Sequence, residues 1–387
     1  MNQIPKEEYL QRIQALQEKL AENDLDAYIV HANAGNYENV RYLSNHWPLF
    51  EVAGVLVPRE GNPLLLIGAE APGFAAESSL GPDNVRIVAD YGHSIGLKWQ
   101  GAHYYTWKEI FDEVSNGKGI RRLGMGDYAI TPVALYEHLK ENLLPGGELI
   151  RAESIIEGLR MKKSPNEISL IRQASQINEL VFEDVLAEIR PEMTEYELEG
   201  LIIGSIYRHG GEGPSFPVLA YAGQRTRNMI GRATRTSLGV GRLIDIDFGT
   251  LYGGYASAFS RPVIFGKMPE RMRKEVEFAI DVHRKIMVEW AKPGRVMGDI
   301  YNQYCQYFQD HGFGHPPAGA SHGIGVFECE PPGFRLDVPN VVEENMVFAC
   351  DTFFRSEEYG FRIEDCYRIG GEENELFSSA HLRPIEL

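Results

Sequence analysis

A chain of 387 residues, 43% hydrophobic and 24% charged, is long enough for two globular domains with a core each. Its formal net charge of −17 argues against nucleic acid or an anionic membrane as a partner, because both repel an acidic surface. The start MNQIPKEEYL lacks the basic-then-apolar pattern of a secretory signal, and no apolar run approaches the ~18 residues of a membrane helix. The four cysteines form no C-x-x-C pair, so free thiols in a reducing cytoplasm are expected.

In chain order, Leu10, Ile13, Leu16 and Leu20 recur at helical spacing, and Ala27 to Val30 read as a short buried strand. Glu51 to Ile67 reads as a hairpin, with VAGVLVP and PLLLIG flanking a turn at REGN. Helix-like Trp107–Val114 and Pro132–Glu141 alternate with strand-like Val85–Val88 and Leu123–Met125, which fits a small α/β domain with a mixed sheet. Pro145, Gly146 and Gly147 punctuate the chain, and the domain boundary is placed near residue 152. Beyond it, Ser164-Pro165-Asn166-Glu167 predicts a capped helix running to about Ile189, and Thr194 with Glu197 predicts a second. After Gly213 the chain turns strand-rich, interrupted by helices near Glu270–Trp290 and Val296–Asp310. The fold class read from this pattern is α+β: domains over 1–152 and 153–387.

Four segments of the second half carry the chemistry: IDIDFGTLYGGYASAFSR (244–261), SHGIGVFECEPP (321–332), MVFACDTFF (346–354) and FRIEDCYRI (361–369). Three place carboxylates in strand-like runs and the fourth places a histidine beside glycines, a donor set suited to hard divalent cations. Residues two apart on a strand share a face, so Asp245 and Asp247 project together. Buried like charges that close need a cation or a shared proton.

The segments Asp247-Phe248-Gly249, Gly254-Tyr255-Ala256-Ser257, His322-Gly323-Ile324-Gly325 and Arg362-Ile363-Glu364-Asp365 resemble, in order, the motifs of the creatinase/aminopeptidase (pita-bread) superfamily. That group holds methionine aminopeptidase, Xaa-Pro aminopeptidase, prolidase and creatinase. Leu159 to Glu167 is similar to the approach to that family's first catalytic-domain helix, so the resemblance covers nearly the whole chain. It implies a creatinase-like α/β domain followed by a catalytic pita-bread domain, a homodimer, and a metal centre of two aspartates, a histidine and two glutamates. Carried over, the first aspartate is Asp247, the histidine His322, the first glutamate Asp351 and the last Glu364.

The pattern breaks where the second aspartate falls on Ala258, which has no ligand atom, and where the family's second histidine falls on Cys329. The histidine expected shortly before Asp247 is also missing, since no histidine lies between Gly210 and Ala258. Loss of the bridging aspartate implies one divalent ion (Mn, Fe, Zn or Co) rather than two, held by His322, Asp351 and Glu364 with Asp247 near. Asp245, on the Asp247 face, is read as a partial replacement for the missing carboxylate.

The arginine-rich loop from Gly223 to Arg235 stands where the missing histidine would sit. Arg225, Arg227 and Arg232 are read as a clamp for an anionic substrate, because guanidinium recognises carboxylate bidentately; a solvated loop is the plainer alternative. Trp47, after Arg41-Tyr42-Leu43-Ser44-Asn45, lies in a stretch that in relatives reaches the neighbouring subunit's site. Cys329, Cys350 and Cys366 fall near the site segments, where buried, inert thiols are the expectation. The expected function is hydrolysis of a C–N bond in a small carboxylate-bearing molecule, with Asp351 or Glu364 taking the proton and Arg362 orienting Glu364 or the substrate. The alternatives are an Xaa-Pro dipeptidase with a degraded two-ion centre, a metal-dependent lyase, and a non-catalytic binding module.

Overall fold

The structure, a computed structural model, describes residues 3–92 and 99–387. It contains two compact units, Ile4–Arg160 and Met161–Leu387. The units divide one helix later than the boundary read at residue 152. Helix Glu153–Met161 buries Ile156 and Arg160, and Arg160 Nη1 donates to Asn39 Oδ1 at 2.6 Å, which ties this helix to the first unit.

The first unit is built on a six-stranded mixed sheet whose central strand, Ala27–Ala32, pairs antiparallel with Ala53–Pro58 and parallel with Arg122–Met125. The expected hairpin is present: Ala53–Pro58 runs antiparallel to Leu64–Ile67, with Gly61 at φ +102° in the turn, a conformation an L side chain resists. Helix Lys6–Glu22 buries Ile13, Leu16 and Leu20, but Leu10 is 53% exposed, and Tyr9 and Arg12 take the fourth turn-contact instead.

In the second unit Ser164 and Glu167 form a capping box on helix Pro165–Glu188, and Thr194 and Glu197 form another on helix Glu195–Arg208. A nine-stranded sheet follows, whose main path runs from Glu330–Gly333 through His322–Gly323, Val347–Arg355, Gly360–Arg368, Phe259–Ile264 and Leu243–Phe248 to Leu219–Ala222. Strand alternation sorts its side chains. Ile244, Ile246, Phe259 and Val263 pack with Val181, Phe182 and Ile202 of the first two helices. Cys350, Phe361 and Ile363 pack with Ala279, Val282 and Ile286 of helix Glu270–Lys285 and the turn after it. The alternate positions, Asp245, Asp247, Asp351 and Glu364, therefore point away from the helices.

One charged cluster lies within the helix-covered face. Arg261 Nη2 donates to both Asp365 oxygens at 2.8 and 2.9 Å, His283 Nε2 lies 3.0 Å from Asp365 Oδ2, and Ser378 Oγ donates to Oδ1 at 2.6 Å. Burial pushes the Asp365 carboxyl up, yet Arg261 and His283 outweigh it and hold the group below its ordinary value. Asp365→Ala would strand a guanidinium that is 1% exposed. The expected cost is about 3–5 kcal/mol, read as a lower urea midpoint for the second unit.

Candidate active site

The carboxylates are brought together by register. Asp247 sits opposite Leu219 on one side and Ser260 on the other, Ser260 opposite Glu364, and Glu364 opposite Asp351. Directly opposed residues share a face, so these side chains form one row across five strands roughly 4.8 Å apart. His322 pairs with Ala349, two residues from Asp351, and joins the same face. Arg362 precedes Glu364 by two and does likewise.

Short-range packing explains the glycines around this row. A Cβ on Gly249 would lie 1.8 Å from Ser257 O, so only glycine allows the turn after Asp247 to close. Glu330 forms a buried ion pair with Lys163, 3.5 Å apart with each side chain 2% exposed, and accepts Phe327 N–H at 2.9 Å. A Cβ on Gly325 would lie 2.9 Å from both Glu330 oxygens. The loop that carries Glu328 is thus fixed from both ends by buried polar contacts.

Within the row, Arg362 Nη1 donates to Asp247 Oδ2, its Nε lies 3.5 Å from Asp351 Oδ1, and its backbone N–H donates to Asp245 Oδ1 at 3.0 Å. His322 Nδ1 lies 3.1 Å from Gly323 O, which leaves Nε2 to face Glu328 Oε1 at 3.3 Å and Glu364 Oε1 at 3.6 Å. Burial raises Asp247 to about 6 even with Arg362 beside it. Burial, then Asp351, push Glu364 well above the carboxylate range. Burial alone would lower His322, but Glu328, Cys329 and Glu364 drive it well above the usual imidazole value.

These groups open onto a cleft of about 700 Å³ lined on its floor by His322, Glu328, Asp351, Arg362 and Glu364. Apolar walls come from Phe216, Pro217, Leu219, Met229 and Ile230, and two exposed guanidinium groups, Arg232 and Arg335, stand on its sides.

Most of the expected site residues meet here, with changes of role. Asp245, read as a substitute ligand, is 3% exposed, does not line the cleft, and is committed to the Arg362 backbone. Arg225 and Arg227 do not line the cleft either. Arg225 Nε bonds both oxygens of the buried Glu195 at 3.0 and 3.1 Å, and Arg227 Nε donates to Ser356 O at 3.2 Å. A buried carboxylate takes the nearest guanidinium before a ligand does. Trp47 belongs to the first unit, its ring tilted against Tyr37 with centroids 4.8 Å apart and the Arg41 guanidinium over it. Cys350 and Cys366 are buried, with burial pushing the Cys366 thiol up to about 12, whereas Cys329 is exposed in the cleft. Ala258 is fully buried, and its N–H points at Cys366 Sγ 3.3 Å away. Glu328 and Arg335 were not legible as site residues, since neither stands in a matched motif position.

The donor set fits a divalent cation. His322, Glu328 and Glu364 each offer a ligand atom within 4.8 Å of the others. Asp247 Oδ1 and Asp351 Oδ1 are buried with no hydrogen-bond partner among the described residues. Burial and mutual repulsion raise Glu364, a strain that a bound cation relieves.

Residues 169–370 match the model of metallopeptidase family M24, and residues 12–162 match the creatinase/prolidase N-terminal domain. The chain is 24% identical to an Xaa-Pro dipeptidase of Pyrococcus horikoshii over 361 residues, 93% of this chain and 94% of that protein. It is 25% identical to the uncharacterised peptidase YqhT of Bacillus subtilis, over 84% of this chain and 92% of that one. The solved structure of an Xaa-Pro dipeptidase from Bacillus anthracis superposes with a TM-score of 0.83 at 22% identity, covering 98% of this chain and all of that one, which shows the shared fold. The chain belongs to metallopeptidase family M24, a family of hydrolases, and has the α+β architecture of a creatinase/prolidase N-terminal domain followed by a pita-bread domain.

Proposed function

We propose that this chain hydrolyses a C–N bond of a small, carboxylate-bearing substrate at a centre holding one divalent ion, with Xaa-Pro dipeptides as the first substrate class. The observation that carries the reading is the cleft. Its floor gathers an imidazole and three carboxylates, while Arg232 and Arg335 have no side-chain ion pair or hydrogen bond among the described residues. A terminal carboxylate is a bidentate partner for such a group, and walls of Phe216, Pro217, Leu219 and Met229 suit a prolyl ring. The relatives named Xaa-Pro dipeptidase support the same class. The reading keeps a homodimer, as the family resemblance implies, in the reducing cytoplasm that the free cysteines suggest.

An ion held by His322, Asp351 and Glu364 supplies Lewis acidity and an acidified water when bound. His322 offers Nε2 because Gly323 O holds its Nδ1 side. Asp351, half-buried and lining the cleft, is placed to accept the proton of the attacking water. Arg362 donates to Asp247 and brings its positive charge within 3.5 Å of Asp351. Ala258 removes the carboxylate that would bridge a second ion, which extends the candidate bonds to amidine-type C–N bonds as well as peptides.

Mass-spectrometric product analysis over an Xaa-Pro panel, with Mn, Fe, Zn or Co added to chelated protein, tests the reading. Metal-dependent release of free proline is expected; no C–N cleavage, or cleavage indifferent to chelation, refutes it. Arg232→Ala and Arg335→Ala are each expected to raise KM about tenfold or more for a free-carboxylate substrate, with little change for its amide-capped form. Arg225→Ala should leave KM unchanged and lower stability by about 1.5–3 kcal/mol through the loss of its bonds to Glu195, measured by chemical denaturation.

A further inference from the structure

We propose that Glu328 completes the coordination of the single ion and that the Arg362 guanidinium occupies the place a second ion would need. This centre is then mononuclear by construction and not a two-ion centre that has lost a ligand. The inference rests on the metal-dependent reading above.

Three observations converge. First, two ligand atoms each ~2.1 Å from a tetrahedral ion lie about 3.4 Å apart. His322 Nε2 stands 3.3 Å from Glu328 Oε1 and 3.6 Å from Glu364 Oε1, so these atoms already describe the edges of such a site. Second, Glu328 is delivered by a fixed loop. The buried Lys163–Glu330 pair, the Phe327 N–H on Glu330 and the close packing of Gly325 hold the chain on both sides of it. Its side chain is 22% exposed and turned to His322 in the cleft. Third, the other end of the carboxylate row is closed to a cation. Asp247 accepts from Arg362 Nη1, Arg362 Nε approaches Asp351, and buried Ala258, which carries no ligand atom, gives its backbone N–H to Cys366 Sγ. A guanidinium there supplies positive charge without exchangeable coordination, so Asp247 is neutralised internally and its ligand duty passes to Glu328.

The alternative is that Glu328 is only a charge partner for a protonated His322. Metal binding separates the two. Protein stripped by chelation is titrated with Co(II), following heat of binding, metal content after desalting, and the visible Co(II) absorption. Wild type is expected to bind one equivalent. Glu328→Gln, which keeps the side-chain shape, is expected to lose tenfold or more in Co(II) affinity and to change the Co(II) spectrum, while the melting temperature of the metal-free protein stays at the wild-type value.

An unchanged Co(II) affinity and spectrum in Glu328→Gln overturns Glu328 as a ligand. Two tight equivalents in wild type overturn the guanidinium as occupant of the second place. Absence of Co(II) binding by wild type refutes the metal-dependent function itself, so the failure of that reading is told apart from the failure of this one.

Discussion

Arg362 reaches Asp247 through one guanidinium nitrogen, approaches Asp351 with another, and gives its backbone N–H to Asp245. All three carboxylates share a face with Glu364, and Asp245 and Asp247 are almost wholly buried. Unpaired, such a row would not tolerate its own charge. Transfer of a carboxylate from water costs several kcal/mol unless paired, and repulsion at this spacing adds to it. Burial still drives Asp247 up to about 6 with the guanidinium in place. The charge at the centre of the row is therefore a condition for the sheet to present carboxylates at all, and the donor set around Glu364 and His322 fits a cation in the cleft.

The same sheet handles charge in two ways on its two faces. Glu364 and Asp365 are neighbours in sequence, yet strand alternation sends Glu364 to the cleft and Asp365 under helix Glu270–Lys285. Asp365 is saturated by Arg261, His283 and Ser378 and lies below its ordinary pKa, whereas burial and the Asp351 charge outweigh the His322 imidazole beside Glu364 and leave it well above its own. Adjacent carboxylates thus take opposite shifts on the two faces of one sheet. Parity along one strand decides which is which.

Family M24 membership and the shared fold place the chain beside proteins named Xaa-Pro dipeptidases, while its centre differs from the ligand pattern that the resemblance implies. The scaffold residues are intact. Gly249 closes on Ser257, Glu330 pairs with Lys163, and Tyr255 donates to Glu167 at 3.0 Å. The departures from the motifs fall at positions that would touch an ion or substrate: Ala258 in place of the second aspartate, Cys329 in place of a histidine, and the shorter Asp351 in place of a glutamate. Retention of buried packing beside change at the open face is what different chemistry on a common fold requires.

The amino-acid sequence by itself determined the two-domain α+β organisation, the capped helices at Ser164 and Thr194, and the Asp247, His322, Asp351 and Glu364 quartet. These are local matters of capping chemistry, strand period and motif spacing, which the linear order carries in full. Tertiary structure decided the rest. Arg225 reads as a free cation in its loop until Glu195, thirty residues earlier and buried, claims it. Asp245 reads as a ligand until the Arg362 backbone arrives from another strand. Glu328 and Arg335 gain meaning only where a folded loop turns one toward His322 and sets the other on the cleft wall. Leu10 has the right period yet faces solvent, because Tyr9 and Arg12 cover the core side of the helix. Each of these outcomes is a competition for a charged or apolar partner between distant segments. Sequence spacing holds no information about which partner is nearer once the chain is packed.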